Sequence, residues 1–222
     1  MEAAKLLLAG LAHVDSSIIC VGVDVSGSDL SDALKDLVSA NNIQFTTITF
    51  ASGDAEVELA SLERAYYFQA NGYRCSAQTY RTCGADGMTK LSLPKLTAVD
   101  NQIHVKMMSA MTHLSIPKLR VAANPHITHL SNLVELDLTS LAVTGDKLQG
   151  ASFMNLDSLP ASGLKISEGF ILARLNVKWT GIPNVDCSNN AGLKAMFEAC
   201  KSSRSPDTWN VCSKISPVPT GC

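Results

Sequence analysis

Rings, charge and long apolar runs are all scarce in this chain. Aromatic residues make up 5% of it although hydrophobic residues make up 46%. A core must therefore be filled by Leu, Ile, Val, Ala and Met, a composition suited to stacked aliphatic ladders. Charged residues are only 17% and the net charge is -2, so there is no basic surface of the kind that nucleic acid or anionic lipid requires. No nucleic-acid partner is expected. No stretch approaches the roughly 20 apolar residues of a membrane span, so no transmembrane span is expected either. Asn-x-Ser/Thr sequons are absent, which removes one support for secretion without refuting it. Cys-x-x-Cys pairs and Cys/His clusters are absent as well, so no zinc site and no cofactor is expected.

What is present is a repeat. Met88-Thr-Lys-Leu-Ser-Leu-Pro-Lys-Leu96 returns as Met111-Thr-His-Leu-Ser-Ile-Pro-Lys-Leu119, as Leu133-Val-Glu-Leu-Asp-Leu-Thr-Ser-Leu141 and as Leu156-Asp-Ser-Leu-Pro-Ala-Ser-Gly-Leu164. The starts are 23, 22 and 23 residues apart, and a fixed period in that range marks a solenoid. Val57, Leu59 and Leu62 take the places of Leu91, Leu93 and Leu96 in a fifth, earlier copy. Apolar residues stand at positions 1, 4, 6 and 9 of each copy. The 4-and-6 pair predicts a short strand facing inward, and a later pair such as Ile103 and Val105 predicts a second strand on another face of the coil. Stacking predicts one ladder of Leu91, Leu114, Leu136 and Leu159, spaced by about 4.8 Å. Prolines at 94, 117 and 160 fit where a strand ends and the chain turns.

Around the repeat the chain divides as follows. Residues 1–17 are either a secretory signal or a first helix: the apolar run Leu6–Ala12 is at the short limit of a signal's core, about 7–15 residues. Residues 18–200 form a single solenoid domain. Within it Leu30, Ala33, Leu34, Leu37 and Val38 recur at helical spacing, predicting a cap helix over 29–40 with Ser28 or Asp29 at its start. Ile43 to Phe50 alternates as a strand. Residues 71–87 interrupt the period as a polar, glycine-rich loop with Cys75 and Cys83 eight residues apart, and inserted loops often lie on a repeat protein's binding face. Tyr73, Arg74, Tyr80 and Arg81 are its candidate binding residues. Leu193, Met196, Phe197 and Cys200 predict a closing helix, and 201–222 is a Ser/Pro/Cys-rich tail or linker.

Seven cysteines stand at 20, 75, 83, 187, 200, 212 and 222. Their clustering in the poorly hydrophobic end of the chain reads as a disulfide-stapled cap in an oxidising compartment, with Cys75, Cys83, Cys187, Cys200, Cys212 and Cys222 as the candidates. An odd count leaves at least one thiol over; reduced cysteines in an intracellular protein are the alternative.

The fullest copy, Leu91-Ser-Leu-Pro-Lys-Leu-Thr-Ala-Val-Asp-Asn-Gln-Ile-His-Val105, resembles the receptor L domain, the leucine-rich-repeat-like β-helix of growth-factor receptor ectodomains and fungal cell-wall anchored proteins. Asn124-Pro-His-Ile-Thr-His-Leu130 is similar to that family's Asn-Pro-x-Leu turn. Leu96, Leu119 and Leu141 stand where ordinary leucine-rich repeats carry Asn, and the glycines that usually precede the family's second strand are missing. The resemblance spans roughly residues 43–180. It implies a mainly β, right-handed parallel β-helix with short helical caps, secreted or at the cell surface, that recognises a protein or carbohydrate ligand without catalysis.

Few residues suggest chemistry. His104 and His126 each lie ten residues before a ladder leucine, so their imidazoles are expected to stack on neighbouring coils; with Gln149 at the next coil a third metal ligand is missing, and they are read as exposed binding residues. Lys90, His113 and Glu135 form a parallel outer column, and Ser92, Ser115 and Asp137 another. Asp24-Val-Ser26-Gly-Ser28 resembles the Asp-x-Ser-x-Ser metal motif of von Willebrand factor A domains, whose hard oxygen ligands hold Mg²⁺. That motif needs a doubly wound sheet, which the repeat displaces. No paired carboxylates and no Ser/His/Asp arrangement can be placed, so no catalytic residue and no enzyme is expected. The runner-up function is an intracellular leucine-rich-repeat-like interaction scaffold, and a Mg²⁺-dependent adhesion module using Asp24, Ser26 and Ser28 comes third.

Overall fold

The computed structural model describes residues 10–21, 24–46, 48–50, 55–72, 87–144, 152–154, 156, 159, 163–166, 171–172, 178–180, 187–189, 191, 194 and 198. They build a mainly β protein whose parallel sheets form a β-solenoid of about 5 turns. The large sheet holds β1 (His13–Val21), β3 (Ser39–Thr46), β6 (Arg64–Asn71), β8 (Ala98–Lys106), β10 (Val121–Thr128), β12 (Val143–Thr144) and β15 (Ile171–Leu172) in that order. Beside its far end β13 (Ser152–Met154) pairs with β10, and β16 (Lys178–Thr180) with β13. The small sheet runs β5 (Glu56–Glu58), β7 (Lys90–Ser92), β9 (His113–Ser115), β11 (Glu135–Leu138) and β14 (Leu164–Ile166). A two-stranded piece joins β2 (Asp24–Val25) to β4 (Thr49–Phe50).

Each coil passes from a short strand through a tight corner into a long strand, and the repeat phrase explains why. Leu91, Leu114 and Leu136 point inward from the short strands, while Leu93 and Leu96, Ile116 and Leu119, and Leu138 and Leu141 turn the corner; all are buried. At each corner the same backbone bond recurs, Leu62 N to Leu59 O, Leu96 N to Leu93 O, Leu119 N to Ile116 O and Leu141 N to Leu138 O, at 3.0–3.3 Å. Pro94 and Pro117 sit inside this turn, where no amide donor is needed. The long strands carry the second inward columns: Ile18, Ile43, Phe68 and Ile103 in register, and Cys20, Phe45, Ala70, Val105, Ile127 and Phe153 in register. Phe45 and Phe68 meet edge to face at 6.0 Å. Small Ala70 in one column leaves room beside large Phe68 in the other.

The sequence pattern and the structure differ in three places. The ladder continues from Leu136 to Leu164, not to Leu159. Leu156 and Leu159 instead form the turn that Met108 and Met111, and Leu130 and Leu133, form in earlier coils, with Leu159 N bonded to Leu156 O; a longer segment before the next strand shifts the phrase by one step. Second, the long strands begin earlier than the Ile103/Val105 pair implied. Their pairing contains a register shift between Ala65 and Tyr67 and between Ala122 and Asn124, and such a bulge breaks the alternation that identifies a strand. Third, the first helix, α1, spans Gly27–Leu34 and not 29–40. Ser26, not Ser28 or Asp29, is its N-cap, accepting from Asp29 N at 3.0 Å. Leu37 and Val38 fit the helical period, but the amides of Val38 and Ser39 donate to Ala12 O at 2.7 and 3.0 Å and draw the chain into β3.

Helix α1 lies against β5, at the end of the small sheet, rather than across β1, the end strand of the large one. Ser31 Oγ donates to Gly27 O at 2.7 Å and accepts from Glu58 N at 2.9 Å, so it satisfies an edge amide of β5. The approach is close: a Cβ on Gly27 would stand 2.2 Å from Glu56 O. Because the obstacle is backbone, Gly27→Ala is expected to push α1 off β5 and lower the unfolding free energy by about 1–3 kcal/mol, read as a lower urea midpoint. Gly72→Ala would strike Met107 O at 2.4 Å and is expected to do the same at the opposite corner.

The expected N-terminal segment is described only from Gly10, and His13 to Ser17, placed in that segment by the sequence pattern, belong to β1. Leu193, Met196, Phe197 and Cys200, on which the closing helix was expected, and all of the tail lie outside the described residues.

Candidate functional site

Two outer faces are available, and their chemistry is opposite. On the small sheet the column Glu56, Lys90, His113, Glu135 is in register, as is Glu58, Ser92, Ser115, Asp137, Lys165. The expected columns of Lys90, His113, Glu135 and of Ser92, Ser115, Asp137 are therefore present. The charges are paired on the sheet itself: Lys90 Nζ lies 2.5 Å from Glu56, Lys165 Nζ 2.5 Å from Glu135, and His113 Nε2 3.9 Å from Glu135. Hydrogen bonding to Glu135 holds the Lys165 ammonium above its ordinary pKa. Exposed pairs of this kind contribute roughly 0.2–1 kcal/mol and are screened by salt. Glu135→Gln is accordingly expected to lower stability by less than about 1 kcal/mol in dilute buffer, with the difference disappearing when urea denaturation is repeated in molar salt.

The large sheet presents less charge: its outer side carries Lys106 and one self-contained ion pair, in which Arg64 Nε donates to Asp100 Oδ2 at 2.9 Å and Nη2 to Asp100 Oδ1 at 3.0 Å. Its outer columns read Ser17, Asn42, Tyr67 and Gln102; Ile19, Gln44, Gln69, His104 and His126; and Val21, Thr46 and Lys106, whose register partners Asn71 and Thr128 are buried. The expected stack of His104 and His126 is there, with ring centroids 4.6 Å apart and the rings edge to face. Its neighbour on the next coil is Ser152 rather than Gln149, for the same reason that the leucine ladder shifts. Tyr67 meets the other side of His104 at 5.8 Å, and its hydroxyl donates to Gln69 Oε1. Asn42 Nδ2 donates to Ser17 Oγ at 3.0 Å.

Both imidazoles are half-buried rather than exposed, which corrects the expectation. Burial, then the neighbouring His126, then Lys106 push the His104 pKa down to about 4. Burial and Lys106 push His126 down as well. The pair is therefore neutral at neutral pH. Both ring nitrogens of His104 and Nε2 of His126 are withdrawn from water with no hydrogen-bond partner, and so is Oδ1 of Asn71.

The remaining candidates are quickly placed. Tyr73, Arg74, Tyr80, Arg81, Cys75, Cys83, Cys200, Cys212 and Cys222 lie outside the described residues. Cys187 is buried in the core. Cys20 is free and buried at the head of an inward column, and burial raises its thiol pKa, so it is packing and not a nucleophile. Ser26 Oγ, claimed by the metal-motif reading, is occupied as the cap of α1 and lies 3.1 Å from Ser28 Oγ; the doubly wound sheet that motif needs is replaced by the solenoid. Among the described residues no group of three or more His, Cys, Asp or Glu could hold a metal ion, and no helix is long and apolar enough to cross a membrane. A small corner cavity of about 10 Å³ is lined by Phe45, Ile48, Phe50, Asn71, Met88 and Met108, with Gly72 and Gly87 also in its wall.

The amide columns of Asn42, Gln44, Tyr67 and Gln69 were not singled out by the repeat. They lie before the insertion at 71–87, which breaks the period; the signal was the constant step of 25 from Asn42 to Tyr67 and from Gln44 to Gln69.

The fold and these faces define a β-solenoid with one outer face laced by ion pairs and one dominated by neutral hydrogen-bonding side chains. The chain matches no protein-family model, no curated protein and no solved structure.

Proposed function

We propose that this chain is a non-catalytic recognition module of the extracellular surface, of receptor L-domain type, that reads its ligand on the outer face of the large sheet. The observation that carries the reading is the register of neutral hydrogen-bonding side chains, Gln44, Gln69, His104 and His126, across four adjacent strands. A flat row of fixed donors and acceptors on rigid strands costs little to order on binding. Among the described residues no carboxylate stands in register with the two imidazoles, whose partners on the neighbouring strands are Gln69 and Ser152.

The extracellular part of the reading rests on cysteine arithmetic. With Cys20 free in the core, six of the seven cysteines remain, an even number able to form three bridges. Native mass spectrometry after alkylation is expected to find one free thiol, reactive only once the protein is unfolded. Six or seven free thiols would instead favour the intracellular scaffold and overturn the extracellular assignment.

A further inference from the structure

We infer that the ligand of the large sheet's outer face is a neutral glycan chain lying across the strands. This rests on the recognition reading above and specifies its ligand class. Over β3, β6, β8 and β10 the three outer columns contain one charged side chain, Lys106, and the Arg64 and Asp100 charges nearer the start of β6 and β8 neutralise each other. A phosphorylated, sulfated or uronate polymer would call for a row of cations there, and an acidic or basic peptide for the opposite sign; one lysine supplies neither. What the face does supply is planar amides at Asn42, Gln44 and Gln69, two neutral imidazoles and the Tyr67 ring. These are the groups that hydrogen-bond hydroxyls in both directions and offer a ring face for stacking against the apolar side of a sugar.

A second observation points the same way. Asn71 is only 9% exposed, and its Oδ1 has no partner. The ring nitrogens of His104 and Nε2 of His126 are in the same state. Buried polar groups left unpaired are costly and rare in folded proteins, and the three such nitrogens of His104 and His126 in one column, with Asn71 Oδ1 at the corner cavity, constitute an unmet demand for donors and acceptors. The low pKa values of the two histidines keep them uncharged at neutral pH, so each ring offers one donor and one acceptor, the complement of a sugar hydroxyl. Rows of this kind repeat at the strand spacing of about 4.8 Å, so an extended saccharide crossing the strands meets a fresh set of hydrogen-bonding groups on each one. The opposite sheet differs in carrying charge along its columns, partly paired between Lys90 and Glu56 and between Lys165 and Glu135.

The test uses the full chain and isothermal titration with hexasaccharides of β-1,3-glucan, β-1,4-glucan and mannan, against hexagalacturonate and a heparin hexasaccharide. At least one neutral hexasaccharide is expected to bind and the charged ones not to. Gln69→Ala and His126→Ala are each expected to weaken binding by about tenfold, the loss of one well-made hydrogen bond, and Lys90→Ala on the small sheet to leave it unchanged. Gln69→Glu, which keeps size while adding charge, is expected to weaken it too, and urea midpoints close to that of the parent chain would show that these variants fold. Binding of only the charged hexasaccharides, neutral binding indifferent to Gln69 and His126, or no oligosaccharide binding at all would overturn the inference. A secreted protein whose binding is lost with Gln69→Ala and His126→Ala would also overturn it while leaving the recognition reading intact. The thiol count judges the extracellular reading independently of either result.

Discussion

Leu114→Ala is expected to lower the unfolding free energy by about 3–4 kcal/mol, measured by urea denaturation. Leu114 sits at the centre of the small sheet, in register with Leu91 on one side and Leu136 on the other, and is fully buried. Removing its isobutyl branch forfeits the transfer free energy of the lost methyl and methylene groups. It also leaves a void that cannot close, because the residues above and below are held by backbone bonds within the coil stack. Ser115→Ala, one position along on the outer face, is expected to change stability by less than about 0.5 kcal/mol. A loss at Leu114 no larger than at Ser115 would mean that the leucine ladder is not the core. Since each coil contacts chiefly its neighbours, the damage is also expected to spread as local opening of adjacent coils, seen as faster amide exchange in β7, β9 and β11.

Acidification is expected to destabilise the protein through His104 and His126. The folded-state pKa of His104 lies at about 4, below its ordinary 6.5, and that of His126 is lowered too. The unfolded chain therefore binds more protons than the folded one between these values, and stability rises with pH across the window. The contribution is fully present above about pH 6.5 and is lost progressively as pH falls towards 4. The shift of His104 corresponds at face value to about 3 kcal/mol; for a half-buried ring screened by solvent, about 1–2 kcal/mol is the expected size. His104→Gln is expected to flatten this dependence, because glutamine already occupies the same column at Gln44 and Gln69 and carries no titrating proton. Urea midpoints measured from pH 7.5 to 4.5 on both proteins provide the check, and parallel curves would rule the histidine pair out as the cause.

Much of the architecture is legible in the apolar spacing. Positions 1, 4, 6 and 9 of the phrase are buried in three consecutive copies, Met88 to Leu96, Met111 to Leu119 and Leu133 to Leu141, because side chains that must reach one shared interior recur at the coil period. The earlier copy at Val57 is in register with Leu91 as its spacing implied, even though an insertion separates them. The His104 and His126 stack was equally legible, since both lie the same number of residues before a ladder leucine. Their burial was not: how far a side chain is withdrawn depends on what packs around it, and the Tyr67 ring that flanks His104 comes from a strand on the far side of the insertion. For the same reason the amide-rich face as a whole is not legible in the repeat, its amides being divided between segments of different period.

The sequence by itself determined that this chain coils, at what period, and which residues face inward. These follow from local spacing and residue type, which survive whatever the neighbouring coils do. Only the tertiary structure decided which residues stand side by side: Leu164 rather than Leu159 beyond Leu136, Ser152 rather than Gln149 beyond His126, and β3 rather than a longer helix at Ser39. Register is set by backbone bonds between coils, and a segment a few residues longer is absorbed in a corner without altering the apolar pattern. The pairing that places Gln69, His104 and His126 in one row is therefore a property of the stacked chain and not of any single repeat.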